Sequence, residues 1–171
     1  PAVAITTGKD HSCAALVDGT VECWDIDFYN SVMVIPDGLT DVVDLSSTWG
    51  GTCALRSNGT VFCWSKSSGW ADEYDLDDIA GPSNLPPVVE YSGGSGVACA
   101  LTQDGEVWCW GNDDDATLVP DDLGQALSVA AGFHYACALG ADRAVTCWGE
   151  DHSSDVPQPE DLEPVGYENA P

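Results

Sequence analysis

Residues 99–110 read Cys-Ala-Leu-Thr-Gln-Asp-Gly-Glu-Val-Trp-Cys-Trp, and the phrase recurs as CAALVDGTVECW at 13–24, CALRSNGTVFCW at 53–64 and CALGADRAVTCW at 137–148. In the first three copies two apolar runs flank Asp-Gly or Asn-Gly; in the last, Arg143 stands where the others have Gly19, Gly59 and Gly105. Such a dipeptide between apolar runs marks a β-hairpin, because glycine accepts the positive φ that the turn needs. One supersecondary unit written four times makes the chain a repeat array, and function is then sought on the surface of that array.

The second cysteine of each copy follows the first by ten residues, which uses all eight cysteines: Cys13 and Cys23, Cys53 and Cys63, Cys99 and Cys109, Cys137 and Cys147. A three-residue loop, with the glycine as its left-handed residue in a bulge, sets the two cysteines directly opposite; a two-residue loop would leave them diagonal. The spacing therefore predicts the three-residue loop. Arg143 must then adopt positive φ at a cost of about 1 kcal/mol, or its turn must change type. Zinc sites use CxxC knuckles or added histidines, and only His11, His134 and His152 are present, at no knuckle spacing. Four intra-hairpin disulfides are the better reading, each worth about 3 kcal/mol in the chain-entropy model. Such a framework belongs in an oxidising compartment, so the expected location is extracellular or at the cell surface.

Upstream of each hairpin lies a short apolar segment: Ala2-Val-Ala-Ile5, Val42-Val-Asp-Leu45, Val88-Val-Glu-Tyr91 and Ala126-Leu-Ser-Val129. One unit thus reads strand, short link, hairpin. The hairpin's second arm is apolar on both sides, as in Val107-Trp-Cys-Trp110, and such a strand is expected to be covered on both faces. Trp24, Trp64, Trp110 and Trp148 follow the second cysteine and are expected to pack. Single-domain organisation is predicted over 1–171, with repeats at about 2–40, 41–86, 87–124 and 125–165 and a tail at 166–171. Helical periodicity is absent, so little or no helix is expected.

The chain has 29 acidic residues against Lys9, Arg56, Lys66 and Arg143, a net charge of −25. Phosphate-backbone binding relies on clustered Lys and Arg, so nucleic acid is excluded as an expected partner. The charge itself reads as solubility, or adaptation to salt that screens self-repulsion. Nineteen of the acids fall in the stretches after each Cys-Trp, at about 25–40, 65–85, 111–124 and 149–164, which predicts an acidic rim. No run approaches the length of a membrane helix, so no membrane insertion is expected. The opening PAVAITTG lacks a basic start and a cleavable apolar run, and reads as a mature or trimmed form.

The strings of the form G-x-x-x-x-C-A-L-x-x-D-G-x-V-x-C-W-G, at Gly94–Gly111 and, with Arg143 for one glycine, at Gly132–Gly149, resemble the repeats of the regulator of chromosome condensation family, including its bacterial secreted, cysteine-containing members. The resemblance covers residues 2 to about 165. It implies an all-β, β-propeller-like array of four repeats, each a blade of about four antiparallel strands stapled by its disulfide, with the fourth strand drawn from the acidic stretch. Family members typically close seven blades, and closed propellers have about four to eight. The glycine that usually follows Cys-Trp is replaced by Asp25 and Ser65. Glu163-Pro-Val-Gly-Tyr167 looks like a fifth upstream strand, either completing a ring by pairing with the first blade or leaving an edge open to another chain.

No Gly-x-Ser-x-Gly elbow, phosphate loop or His-Glu-x-x-His is present, and His11 and His134, in equivalent links, read as structural. The acidic runs at Asp113, Asp114 and Asp115, at Asp72 to Asp78 and at Glu150-Asp151 offer oxygens that calcium would accept, without an EF-hand pattern. They are weak calcium candidates; no other cofactor is expected. Aromatic residues in links are common anchors, and Trp49, Trp70, Tyr74 and Phe133 are the candidate binding residues. The expected function is non-catalytic extracellular recognition or assembly, with a protein or copies of the chain itself as partner. The second reading is a structural subunit of an extracellular filament joined end to end; a carboxylate-based hydrolase is the third.

Overall fold

The computed structural model describes residues 1–25, 34–48, 51–65, 81–111 and 116–149. They form twelve strands: β1 (Ala2–Thr7), β2 (His11–Leu16), β3 (Val21–Asp25), β4 (Val42–Ser47), β5 (Gly51–Arg56), β6 (Val61–Ser65), β7 (Val88–Gly93), β8 (Val97–Thr102), β9 (Val107–Gly111), β10 (Ala126–Ala131), β11 (Tyr135–Gly140) and β12 (Val145–Gly149). Consecutive strands pair into four antiparallel three-stranded sheets, β1-β2-β3, β4-β5-β6, β7-β8-β9 and β10-β11-β12. The described residues contain no helix. The fourth strand expected of each blade, and the fifth upstream strand at 163–167, fall outside the described residues.

Every hairpin closes as the ten-residue spacing predicts. Cys13 pairs with Cys23, Cys53 with Cys63, Cys99 with Cys109 and Cys137 with Cys147 directly across the ladder. In the first turn Gly19 N–H donates to Leu16 carbonyl and Leu16 N–H to Thr20 carbonyl, with Gly19 at φ 80°. Arg143 keeps this turn and takes φ 72°. It holds the left-handed conformation that a side chain disfavours by roughly 1–2 kcal/mol.

The blades pack in chain order through one repeated junction. The first strands (β1, β4, β7, β10) of successive blades approach one another and the neighbouring middle strand (β2, β5, β8, β11). Cys13, Ala15 and Val21 of the first blade bury Val42, Leu45 and Ala54 of the second. Cys53 and Leu55 then bury Val88, Tyr91 and Ala98 of the third, and Cys99 and Leu101 bury Ala126, Val129 and Ala138 of the fourth. Each blade therefore has a leading face, turned to the blade before it, and a trailing face that carries its first cysteine.

Hydrogen bonds repeat along the same junctions. Thr6 Oγ1 accepts from Ser47 N–H, Ser46 Oγ from Gly93 N–H and Ser92 Oγ from Ala131 N–H, each at 2.9 Å. At the other end of these strands the turn glycine accepts from the next blade: Gly19 carbonyl from Val42 N–H, Gly59 from Val88 and Gly105 from Ala126. The approach is close. A Cβ on Gly59 would stand 2.8 Å from Pro87 Cβ.

One expectation about burial is corrected. The strand covered on both faces is the middle one, with β8 buried throughout, whereas the third strands β9 and β12 are only partly covered and Phe62 on β6 is exposed. Blades meet through their first and middle strands, which leaves less packing for the third.

Candidate interaction surfaces

All eight cysteines are paired, and Cα atoms within a pair lie 4.0–4.2 Å apart. Of the aromatic anchors expected from the sequence, Phe133 is placed by the structure: it is 58% exposed in the link between β10 and β11, edge-on to the His134 ring at 4.1 Å. Trp49, Trp70 and Tyr74 lie outside the described residues, as do Asp113, Asp114 and Asp115. The structure describes Phe133 alone among these candidates.

It brings together a set that the sequence reading passed over. Each first strand shifts register at its second residue, at Val3, Val43, Val89 and Leu127, so two residues oppose one on the middle strand. The unpaired residue of such a bulge is re-aimed. All four side chains are exposed, while Val42, Val88 and Ala126 immediately before three of them are buried in the junctions. One aliphatic residue per blade is thus presented at the same register of four successive strands, beside the hairpin turns. The spacing of three from Val42 to Leu45 and from Val88 to Tyr91 was the available signal, since residues three apart cannot share one face of a strand without a bulge.

The histidines differ in setting. His11 opens β2 and is buried, with its Nε2 hydrogen-bonded to Thr52 Oγ1 of the next blade at 2.8 Å. Thr52, fully buried, also bonds Ser47 Oγ at 2.9 Å. His11 is therefore part of a junction, as the structural reading expects. Burial pushes the Tyr91 hydroxyl well above the usual phenol range, and it has no hydrogen-bond partner among the described residues. Among those residues no three His, Cys, Asp or Glu side chains gather as metal ligands would. No membrane-spanning helix occurs among the described residues.

Trp110 and Trp148 pack on the connections that precede their blades. Trp148 Nε1 donates to Ala116 carbonyl at 3.0 Å, and a Cβ on Gly81 would stand 2.9 Å from the Trp110 ring. Trp64 is 4% exposed. Trp24 departs from the packing role expected of it and is 52% exposed.

With hairpin, bulge and junction defined, residues 88–116 match the family model described as regulator of chromosome condensation (RCC1) repeat. The matched residues comprise the third blade, β7 to β9. The other three blades share its strand order, cysteine register and bulge. The CRINKLY WD40 ectodomain of the Arabidopsis thaliana receptor kinase ACR4 is 23% identical with a TM-score of 0.65, over 90% of this chain and 51% of that one. Yeast RCC1 (Prp20), solved with Kap60 bound, is 19% identical with a TM-score of 0.63, over 85% of this chain and 43% of that one. The computationally designed Ika4 protein is 16% identical with a TM-score of 0.57, over 88% of this chain and 92% of that one. No curated protein matches the sequence. The chain spans about half the length of the two natural structures, and the likeness establishes the fold: an all-β array of propeller blades built as in RCC1 repeats.

Proposed function

We propose that this chain is a non-catalytic module that recognises a protein partner outside the cell. The observation that carries the reading is the row Val3, Val43, Val89 and Leu127, one exposed aliphatic residue per blade at equivalent bulges. A regular row of apolar side chains on successive strands fits a partner's apolar segment, and apolar surface beyond isolated residues is a mark of interaction sites. The four disulfides support an oxidising, extracellular or cell-surface setting. Among the fold's relatives are a receptor-kinase ectodomain and a complex with a bound protein, Kap60, which supports the same class of role. The net charge of −25 favours a partner with basic residues around its apolar contact, and disfavours nucleic acid.

The test is selection of displayed random peptides on the purified protein, with recovered peptides measured by calorimetry. Peptides that combine Lys or Arg with aliphatic or aromatic residues, and that lose at least tenfold in affinity for the Val43→Asp/Val89→Asp variant, are the expected result. Selected peptides that bind wild type and variant equally would remove the row from the site.

A further inference from the structure

Val42 and Leu45 are both buried in the first junction, so the two residues between them, Val43 and Asp44, both face away from it. Val89 and Glu90 do the same between buried Val88 and Tyr91. The bulge has this effect because it sets two successive residues against one on the partner strand. The two strands concerned, β4 and β7, are neighbours, joined by the hydrogen bond from Gly93 N–H to Ser46 Oγ. The second and third blades therefore present an aliphatic register, Val43 and Val89, and directly beside it a register of carboxylates, Asp44 and Glu90. In the first and fourth blades the second register is uncharged, with Ala4 and Ser128.

Each carboxylate is held by one oxygen. Asp44 Oδ1 accepts from Leu45 N–H at 2.8 Å, and Glu90 Oε1 accepts from the Ser128 hydroxyl at 2.8 Å and from Val129 N–H at 3.3 Å. An amide oxygen would serve these donors as well, so the bulges do not require the charge. Among the described residues neither carboxylate meets a cation. Arg56, on the strand beside Asp44, is engaged elsewhere, by Thr40 carbonyl at 2.9 Å and by Asp41 at 3.8 Å.

We infer that this patch receives a basic side chain of the partner, with its alkyl stem on Val43 and Val89 and its charged head on Asp44 and Glu90. Lys and Arg carry such a stem and such a head in one side chain. The inference rests on the recognition reading and names the kind of residue that the partner inserts. Charge decides against other occupants. An acidic segment is repelled by a chain of net charge −25, and a purely aliphatic one would cover two carboxylates without giving them a partner. An ionised donor instead makes the stronger, charge-assisted kind of hydrogen bond to each.

The experiment uses n-butylguanidinium and n-butylammonium chloride, which reproduce the ends of Arg and Lys, and n-butanol, which keeps the stem without the charge. Each is titrated at constant ionic strength into the intact oxidised chain, with the valine methyls followed by NMR. The expected result is saturable shifts at Val43 and Val89 with the cations, at concentrations about tenfold or more below those that n-butanol needs. The tighter of the two cations then identifies the partner residue as Arg or Lys. Asp44→Asn/Glu90→Gln keeps the acceptors that the bulges use, so its far-UV spectrum and Tm should match wild type while the cations lose about tenfold and n-butanol is unchanged. Cations that leave Val43 and Val89 unshifted, that do no better than n-butanol, or that bind the variant as well as wild type would overturn the inference. The recognition reading fails separately: displayed peptides that bind through the row without a basic residue would keep that reading and remove the basic contact, whereas bound cations with no row-dependent peptide would keep the cation site and remove its protein partner.

Discussion

Thr52→Val tests whether the buried hydroxyl, rather than packing alone, holds the first two blades together. Thr52 is fully buried, and its Oγ1 lies 2.8 Å from His11 Nε2 in the first blade and 2.9 Å from Ser47 Oγ in its own. Valine nearly preserves volume, so almost no cavity is made, and the added methyl returns about 1 kcal/mol of apolar burial. Against this stand two hydrogen bonds of about 1 kcal/mol each, and a further 1–3 kcal/mol for an imidazole nitrogen deprived of its partner in a buried site. Ser47 is only partly buried, so water can replace what it loses. The net loss is about 2 kcal/mol, or about 4–8 °C in Tm for a chain of this size. Thr52→Ser keeps the hydroxyl, loses one methyl and should cost about 1 kcal/mol. Urea titration followed by tryptophan fluorescence would rank the three proteins. A valine variant as stable as wild type, or more stable than the serine variant, would refute the reasoning.

Further outcomes follow from other junction residues. Tyr91→Phe should be neutral or stabilising near neutral pH, because the buried hydroxyl it removes has no partner among the described residues; denaturant titration measures this. In wild type the same hydroxyl titrates above its ordinary 10.0, so the native state keeps a proton that the unfolded state releases. Stability from this group is then full below pH 10 and falls as pH rises beyond it, a decline that Tyr91→Phe should reduce in alkaline melts. Leu45→Ala, in the first junction, should cost about 2–5 kcal/mol by the same titration. Gly59→Ala should cost about 1–2 kcal/mol from positive φ alone, and more because Pro87 must yield. Alkylation in denaturant without reductant should add no mass, and reduction should then expose eight thiols.

The hairpins and their cysteine register were legible because they are local: ten residues and one turn glycine leave a single way to set Cys99 against Cys109. The array was legible from repetition. What the sequence hid depends on neighbours distant along the chain. Val42 and Val43 look alike, and only the bulge decides which is buried. Middle strands read no more apolar than third strands, and only the packing of successive blades covers one more than the other. His11 and Thr52 are 41 residues apart, and neither marks the other. Ile5 and Trp24 match residues that are buried in other repeats, and nothing local marks them as exposed.

The staples also govern how the chain would respond to a pull. Each disulfide spans ten residues, so the segments 13–23, 53–63, 99–109 and 137–147 cannot lengthen while oxidised. At about 3.3–3.6 Å per residue, the four bridges withhold about 13–14 nm of contour from any extension. Tension applied at the two ends would therefore separate successive blades and straighten the connections between them, leaving every hairpin intact to re-dock when the load is released.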